Sequence, residues 1–162
     1  MDDSDKRNRI FFSDHSIVNH LRFFKRKGKK VMNKENMRLW DKKQKGWVEE
    51  PFWVGTNDTY VIQSNGKFQE VSADQYILQK STGKTDQNLK EIFEGDLVES
   101  QVGGQKIEIK YGRYKAFCPA DQEYMDNIGF YAACEGYMDM PIGPLEEYAV
   151  WIGNIFKRGD EN

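Results

Sequence analysis

Apolar and polar residues alternate along much of the chain after residue 36, with the two-residue period of a half-buried β-strand. In residues 105–111 every second residue from Ile107 onward is apolar, and those between are charged. Asn65-Gly66 and Gly103-Gly104 each separate two such runs, and both pairs tolerate the backbone of a tight turn. The pattern therefore predicts antiparallel hairpins over residues 59–71 and 97–111.

The same alternation and turn residues predict the other elements after residue 36. Repeated hairpins at short spacing favour a strongly bent antiparallel sheet or small barrel, which also removes exposed strand edges. We therefore expect a mainly β fold. Its further elements begin with a hairpin over 37–49, a strand extension over 113–118 and a polar loop over 119–127. A hairpin with arms 128–134 and 135–138, a rigid turn over 141–144, a helical turn over 145–147 and a closing strand over 148–156 follow.

The first third of the chain has a different pattern, typical of one amphipathic helix over residues 14–27. Ser13 is placed as its N-cap, and Gly28 ends it. Ile17, Leu21 and Phe24 fall on one narrow apolar face, which we expect to dock on the β domain or on a second subunit. The predicted organisation is a basic N-terminal arm over 1–34, a β domain over 35–157 and a tail over 158–162.

Residues 79–98 combine two glycine turns with a polar loop between apolar anchors. This segment resembles the signature of the phage YopX family, and the segments near residues 40 and 153 are similar to that family's opening and closing strands. The resemblance rests on Ser81-Thr82-Gly83, Asp86-Gln87-Asn88, Ile92-Phe93-Glu94-Gly95-Asp96-Leu97-Val98, Met37-Arg38-Leu39-Trp40-Asp41-Lys42-Lys43 and Val150-Trp151-Ile152-Gly153-Asn154-Ile155-Phe156.

The resemblance covers about residues 37–157 and implies a β-rich fold and an origin in a bacteriophage or prophage. It implies no activity. Two departures from the family pattern stand out: Leu89 occupies a position where Gly is usual, and no acidic, proline-containing tail follows Phe156. The polar loop itself admits two interpretations, a structural connector between strands or a binding loop on a rigid scaffold.

Composition limits the class of protein. Apolar residues make up 38% of the 162 residues and aromatic residues 14%, so we expect a core built largely from rings. No apolar run approaches the roughly 18 residues that a membrane helix needs, and the acidic start is unlike a signal peptide. We therefore expect a soluble protein in the cytoplasm of an infected or lysogenic bacterium. Cys118 and Cys134 are too few and too far apart for a disulfide framework.

Catalytic and metal-binding patterns are not found in the sequence. His15 and His20 are the only histidines, and five positions on a helix place them about 140° apart. Neither a P-loop nor a dinucleotide fingerprint occurs. The carboxyl groups of Glu91, Glu94, Asp96, Asp121 and Glu123 lie in turn-rich segments that we expect to be solvated. We expect no enzyme, no catalytic residue, no metal site and no cofactor.

Charge is distributed unevenly along the chain. Residues 1–45 hold 14 of the 24 Lys and Arg but only 6 of the 26 Asp and Glu, which leaves 10 basic and 20 acidic residues for the remainder. The basic arm can pair with the acidic β domain of its own or a neighbouring chain, or it can bind the phosphates of a nucleic acid. The candidate polyanion-binding residues are Arg22, Lys25, Arg26, Lys27, Lys29 and Lys30.

Aromatic residues cluster in two further segments of the β domain. Most of these rings are expected in the core, but alternating strands cannot bury all of them. Exposed rings would suit a protein interface or a pocket for a small ligand such as a nucleotide. The candidate groove residues are Trp40, Trp47, Trp53, Tyr131 and Tyr137.

The sequence thus predicts a non-enzymatic phage accessory protein that acts by binding, most plausibly to a host protein or to itself in an oligomer. Binding of nucleic acid through the basic arm is the first alternative, and capture of a small signalling nucleotide is the second. No membrane partner is expected.

Overall fold

A computed structural model describes residues 36–55 and 58–157 as a mainly β protein. The chain consists of two compact units, of which the first ends at Leu78 and the second begins at Gln79. The predicted N-terminal helix, the basic cluster and the tail lie outside the described residues. The strands are β1 Met37–Asp41, β2 Gly46–Trp47, β3 Phe52–Val54, β4 Thr59–Ser64, β5 Lys67–Ser72, β6 Tyr76–Thr85, β7 Glu91–Phe93, β8 Asp96–Ser100, β9 Lys106–Cys118, β10 Glu123–Cys134, β11 Met140–Pro141 and β12 Ala149–Asn154.

The first unit contains the hairpin β1–β2 and a three-stranded antiparallel sheet of order β3-β4-β5. Its core consists of Met37, Leu39, Phe52 and Tyr60, all buried, with half-buried apolar side chains packed around them. The β4–β5 turn has Asn65 at φ 52° and Gly66 at φ 73°. Both angles suit the tight hairpin turn that an Asn-Gly pair favours, which explains why this register is well specified.

The second unit is built around a five-stranded antiparallel sheet of order β11-β10-β9-β8-β12. A one-turn helix, α1 (Leu145–Tyr148), leads into β12. Leu145 is fully buried, and it joins Ile92, Val98, Ile109 and other residues of β7–β10 and β12 in the core of this unit. The hairpin β9–β10 is the longest feature, with twelve consecutive residue pairs from Cys118–Glu123 to Ile107–Cys134.

Several predictions from the hydrophobic pattern are confirmed. The hairpins around Asn65-Gly66 and Gly103-Gly104 form, β9 continues past Gly112 to Cys118, and a short helix begins at Leu145. The strand pairs β1–β2, β3–β4, β4–β5, β6–β7, β8–β9, β8–β12, β9–β10 and β10–β11 are antiparallel. The mainly β fold class is therefore confirmed, while closure into a barrel stays a prediction.

Two boundaries were predicted wrongly. Residues 119–127 are not a loop throughout, because β10 begins at Glu123 and pairs at once with the end of β9. Polar side chains at an exposed strand end look like a loop in the sequence, since neither face is buried there. Residues 135–138 form no strand, and the strand that pairs with β10 on the side opposite β9 is β11, where Met140 faces Ala132.

In the parts of the chain that the structure describes, no helix is long and apolar enough to cross a membrane.

Candidate binding surface

The loop between β6 and β7 is organised by one carboxyl group. Asp86 is only 1% exposed. Its Oδ1 accepts hydrogen bonds from the backbone N–H groups of Asn88 and Lys90, both at 2.9 Å, and its Oδ2 accepts one from Trp151 of β12, also at 2.9 Å. Gln87 adds a backbone bond to the carbonyl of Ala149 at 3.0 Å. The loop is therefore fixed to the closing strand.

Opposing effects act on the pKa of Asp86. Burial of the carboxyl group by itself raises the pKa, because desolvation penalises the charged form. The three backbone N–H groups and the nearby charge of Lys90 outweigh this effect, and they hold the pKa below its ordinary value. The Lys90 ammonium lies 2.9 Å from the ring centroid of Trp151, so the charge also contacts the strand to which the loop is fixed.

A second buried polar cluster forms around the turn before β8. Asp96 and Asn154 are fully or almost fully buried, and the Asn154 amide donates to Asp96 Oδ1 at 3.0 Å and to Gln79 Oε1 at 3.3 Å. Asp96 Oδ2 accepts from the backbone N–H of Phe93 at 2.9 Å. Gly95 has φ 77°, and a Cβ there would collide with the side chain of Gln79. The expectation that Asp96 is solvated is therefore wrong.

These contacts account for the most recognisable residues of the chain. Thr82 Oγ1 donates to the carbonyl of Ile92 at 2.8 Å, Gly83 has φ 71°, and Ile92 is fully buried. Leu89, where a glycine would be usual, has φ 61° and is 81% exposed. Most motif positions between Gln79 and Val98 thus stabilise the local fold through a hydrogen bond, a turn or burial. This supports the interpretation of the segment as an ordered connector.

Three of the predicted groove residues lie in the first unit. Trp40 is buried and packs edge-on against the half-buried Trp47 at 4.9 Å between ring centroids. The guanidinium of Arg38 lies 4.1 Å from the Trp47 centroid. Trp53 instead contacts Phe68 on the β3-β4-β5 sheet, at 5.7 Å. The structure therefore brings Trp40 and Trp47 together and places Trp53 in a separate ring pair.

The other two predicted groove residues lie in the second unit. Tyr131 stacks on Tyr114 with centroids 4.9 Å apart. Tyr137 is exposed and lines a cavity of about 370 Å³. The lining is mostly apolar; Gln105, Ser100 and the Tyr148 hydroxyl add polar groups. Burial raises the pKa of Tyr148, although the Gly143 backbone donates a hydrogen bond to its hydroxyl.

The candidate polyanion-binding residues, Arg22 to Lys30, lie outside the described residues, so their role stays a prediction. Among the residues that the structure describes, no three His, Cys, Asp or Glu side chains are grouped so that they could hold a metal ion. Cys118 and Cys134 are both free thiols and half-buried.

A surface that sequence reasoning missed lies on the outer part of the β9–β10 hairpin. We call residues 111–118 and 123–130 the ribbon. Within the described chain its strands pair only with each other, because β8 pairs with β9 only up to Glu108 and β11 pairs with β10 only at Tyr131 and Ala132. A two-stranded segment has little stability of its own.

One face of the ribbon continues the core-facing side of the sheet into solvent. Directly paired residues of β9 and β10 lie on the same face, and every second residue of each strand shares that face. The face that holds Ile107 and Ile109 therefore continues along the ribbon. Ile128 is 70% exposed and Tyr124 is 55% exposed, and Phe117 and Tyr111 are also exposed. We call this the ribbon face: Tyr111, Arg113, Lys115, Phe117, Tyr124, Asp126, Ile128 and Phe130.

The ribbon face combines five apolar or aromatic side chains with three charged ones. Phe117 contacts Tyr124 at 5.3 Å and Tyr111 contacts Phe130 at 5.0 Å, so rings line both ends of it. Arg113, Lys115 and Asp126 between them are exposed. Exposed apolar side chains grouped on one surface are typical of a binding site. The signal in the sequence was weak, because charged residues interrupt the apolar ones on this face, and the wrong loop boundary at 119–127 concealed its β10 half.

The chain was compared with known protein families. The family described as YopX protein matches residues 20–158. The match begins seventeen residues before Met37 and so includes part of the predicted basic arm. No curated protein matches the chain.

Proposed function

Because this chain belongs to the YopX family, which points to a phage-associated protein, we propose that it acts in the host bacterium by binding another protein surface rather than by catalysis. The observation that carries the proposal is the ribbon face. It holds exposed aromatic and aliphatic side chains on a strand pair that no third strand within the described residues supports. A partner that covers this face would bury apolar surface and stabilise the ribbon.

The other two functions have less support. The cavity beside Tyr137 has no Lys or Arg among its lining residues, and these cations are the usual side-chain partners of a nucleotide phosphate. Nucleic-acid binding would rest on the basic arm, for which sequence composition is the only support. Protein binding, to a host protein or to a second copy, therefore remains the function that the described residues favour.

An affinity capture from bacterial lysate tests the proposal. The baits are the full chain, Ile128→Ser on the ribbon face and Val102→Ser as a matched control, because Val102 is also apolar and 88% exposed but lies in the β8–β9 turn. We expect the unmodified and control baits to bind a protein, or themselves, several-fold more than Ile128→Ser does. Nuclease treatment should not change this.

Equal binding by all three baits would overturn the ribbon face as the binding surface. Loss of all captured material on nuclease treatment would instead support the basic arm and the nucleic-acid function.

A further inference from the structure

The charges on the ribbon face match a second copy of the same face. We propose that two chains associate face to face through their ribbons, about a two-fold axis that runs parallel to the strands. This inference rests on the proposed function and names its partner as a second copy of this chain. The argument comes from the register of the hairpin and from the positions of its charged residues.

A two-fold axis parallel to the strands places β9 of one copy opposite β10 of the other at the same height. The residues that meet between copies are then those already paired within one hairpin. Lys115 faces Asp126 of the second copy, and Phe117 faces Tyr124. Arg113 faces Ile128, whose side chain can pack on the arginine stem. Tyr111 likewise faces Phe130. Each contact occurs twice, so two ion pairs and four ring pairs form.

The other simple two-fold arrangement is unfavourable. An axis perpendicular to the strands, at the level of Tyr114 and Asn127 in the middle of the ribbon, would run β9 against β9 in reverse, and Arg113 would then face Lys115. On the other strand Ile128 would face Asp126, which leaves a carboxyl group against an apolar side chain. Like charges and desolvated charges disfavour such contacts. The charge pattern therefore selects the parallel axis.

The size of the ribbon face predicts the strength of the contact. Eight residues per strand span about 27 Å, and two strands cover about 10 Å in width, which gives a footprint of roughly 300 Å². Stable complexes bury about 800 Å² per partner, so this contact alone is at the weak end. We expect a dimer whose population depends on concentration, with a Kd in the micromolar range or weaker.

A double charge exchange tests the arrangement without disturbing either hairpin. In the double variant Lys115→Asp with Asp126→Lys, positions 115 and 126 still carry charges of opposite sign. They therefore attract each other both within one chain and between two identical chains. We expect it to form dimers as readily as the unmodified chain, within about threefold. A mixed pair, however, places Asp against Asp and Lys against Lys, and we expect it to be at least roughly tenfold weaker.

Sedimentation equilibrium of the full chain measures each homodimer, and native mass spectrometry with one mass-tagged partner measures the mixed dimer. Lys106→Asp is the control, because it reverses an exposed charge on the other face of β9 and should leave both homodimer and mixed dimer unchanged. Free mixing of the unmodified and exchanged chains would overturn the proposed arrangement.

Two further outcomes separate this inference from the proposed function. A chain that stays monomeric at all concentrations, while Ile128→Ser still loses a captured host protein, would overturn the dimer and leave the proposed function standing. A dimer that Ile128→Ser does not weaken would overturn the proposed arrangement. Only equal capture by the unmodified and Ile128→Ser baits would overturn the ribbon face as the binding surface of the proposed function.

Discussion

Single polar residues hold much of the second unit together at the residue scale. Asp86 accepts three backbone N–H groups from two separate segments, and Asp96 and Asn154 join the turn before β8 to the end of β12. A buried carboxyl group is costly unless hydrogen bonds satisfy it, and here they do. Such residues specify one backbone arrangement more strictly than apolar contacts can, because each donor must reach a fixed oxygen.

The first prediction concerns Asp86→Asn. The amide can present only one oxygen, so it leaves at least one buried N–H group without an acceptor, and we expect a loss of about 2–3 kcal/mol in the free energy of unfolding at pH 7. The folded pKa of Asp86 is lowered, so its stabilisation is present above the unfolded value of about 3.9 and is lost as pH falls through the folded value.

Denaturant unfolding of both proteins between pH 7 and pH 2.5 measures this. The difference between the two proteins should be largest near neutrality and should shrink below about pH 4. A difference that stays constant over this range, or grows in acid, would contradict the role given to the carboxylate.

Turn chemistry and packing decide different elements. The β4–β5 hairpin was predictable because Asn65-Gly66 fixes the turn locally. The start of β10 was not, because residues 123–126 are exposed and mix polar side chains with Tyr124 and Met125. They form a strand only by pairing with β9, which the turn at 119–122 brings close in space. The short helix α1 is an intermediate case. Its position could be predicted from the sequence, but four residues cannot form a stable helix by themselves.

The second prediction tests what holds α1. Leu145 is fully buried in the core of the second unit, whereas its neighbour Glu146 is exposed. We expect Leu145→Ala to lower the free energy of unfolding by about 2–5 kcal/mol, through lost burial and the cavity left behind. Glu146→Ala, measured by the same chemical denaturation, should stay within about 0.5 kcal/mol. A small effect of Leu145→Ala would mean that the core closes without the helix.

Charge and exposed surface are properties of the whole molecule. The chain carries a basic first part and an acidic remainder, while the ribbon face combines rings with charges of both signs. The proposed dimer therefore depends on burial of apolar surface, and the ion pairs select the arrangement. Exposed ion pairs contribute at most about 1 kcal/mol each and are screened by salt.

The third prediction follows at this scale. Raising the salt concentration from about 0.05 M to 1 M should weaken the dimer by no more than roughly thirtyfold, because only the two Lys115–Asp126 contacts are screened. Sedimentation equilibrium at several salt concentrations measures the change. A loss of several orders of magnitude would indicate an association governed by the basic arm, with its many cations, rather than by the ribbon.

The sequence by itself determined the mainly β class and two of the hairpins, because these depend on local turn residues and on a two-residue hydrophobic period. The family followed from the resemblance of specific motif residues. Tertiary structure decided which polar residues are buried. Asp86 and Asp96 look like solvated loop residues until β12 and β7 supply the N–H groups that pair with them. The ribbon face was also decided in three dimensions, since its exposed rings belong to one surface only through the pairing of β9 with β10.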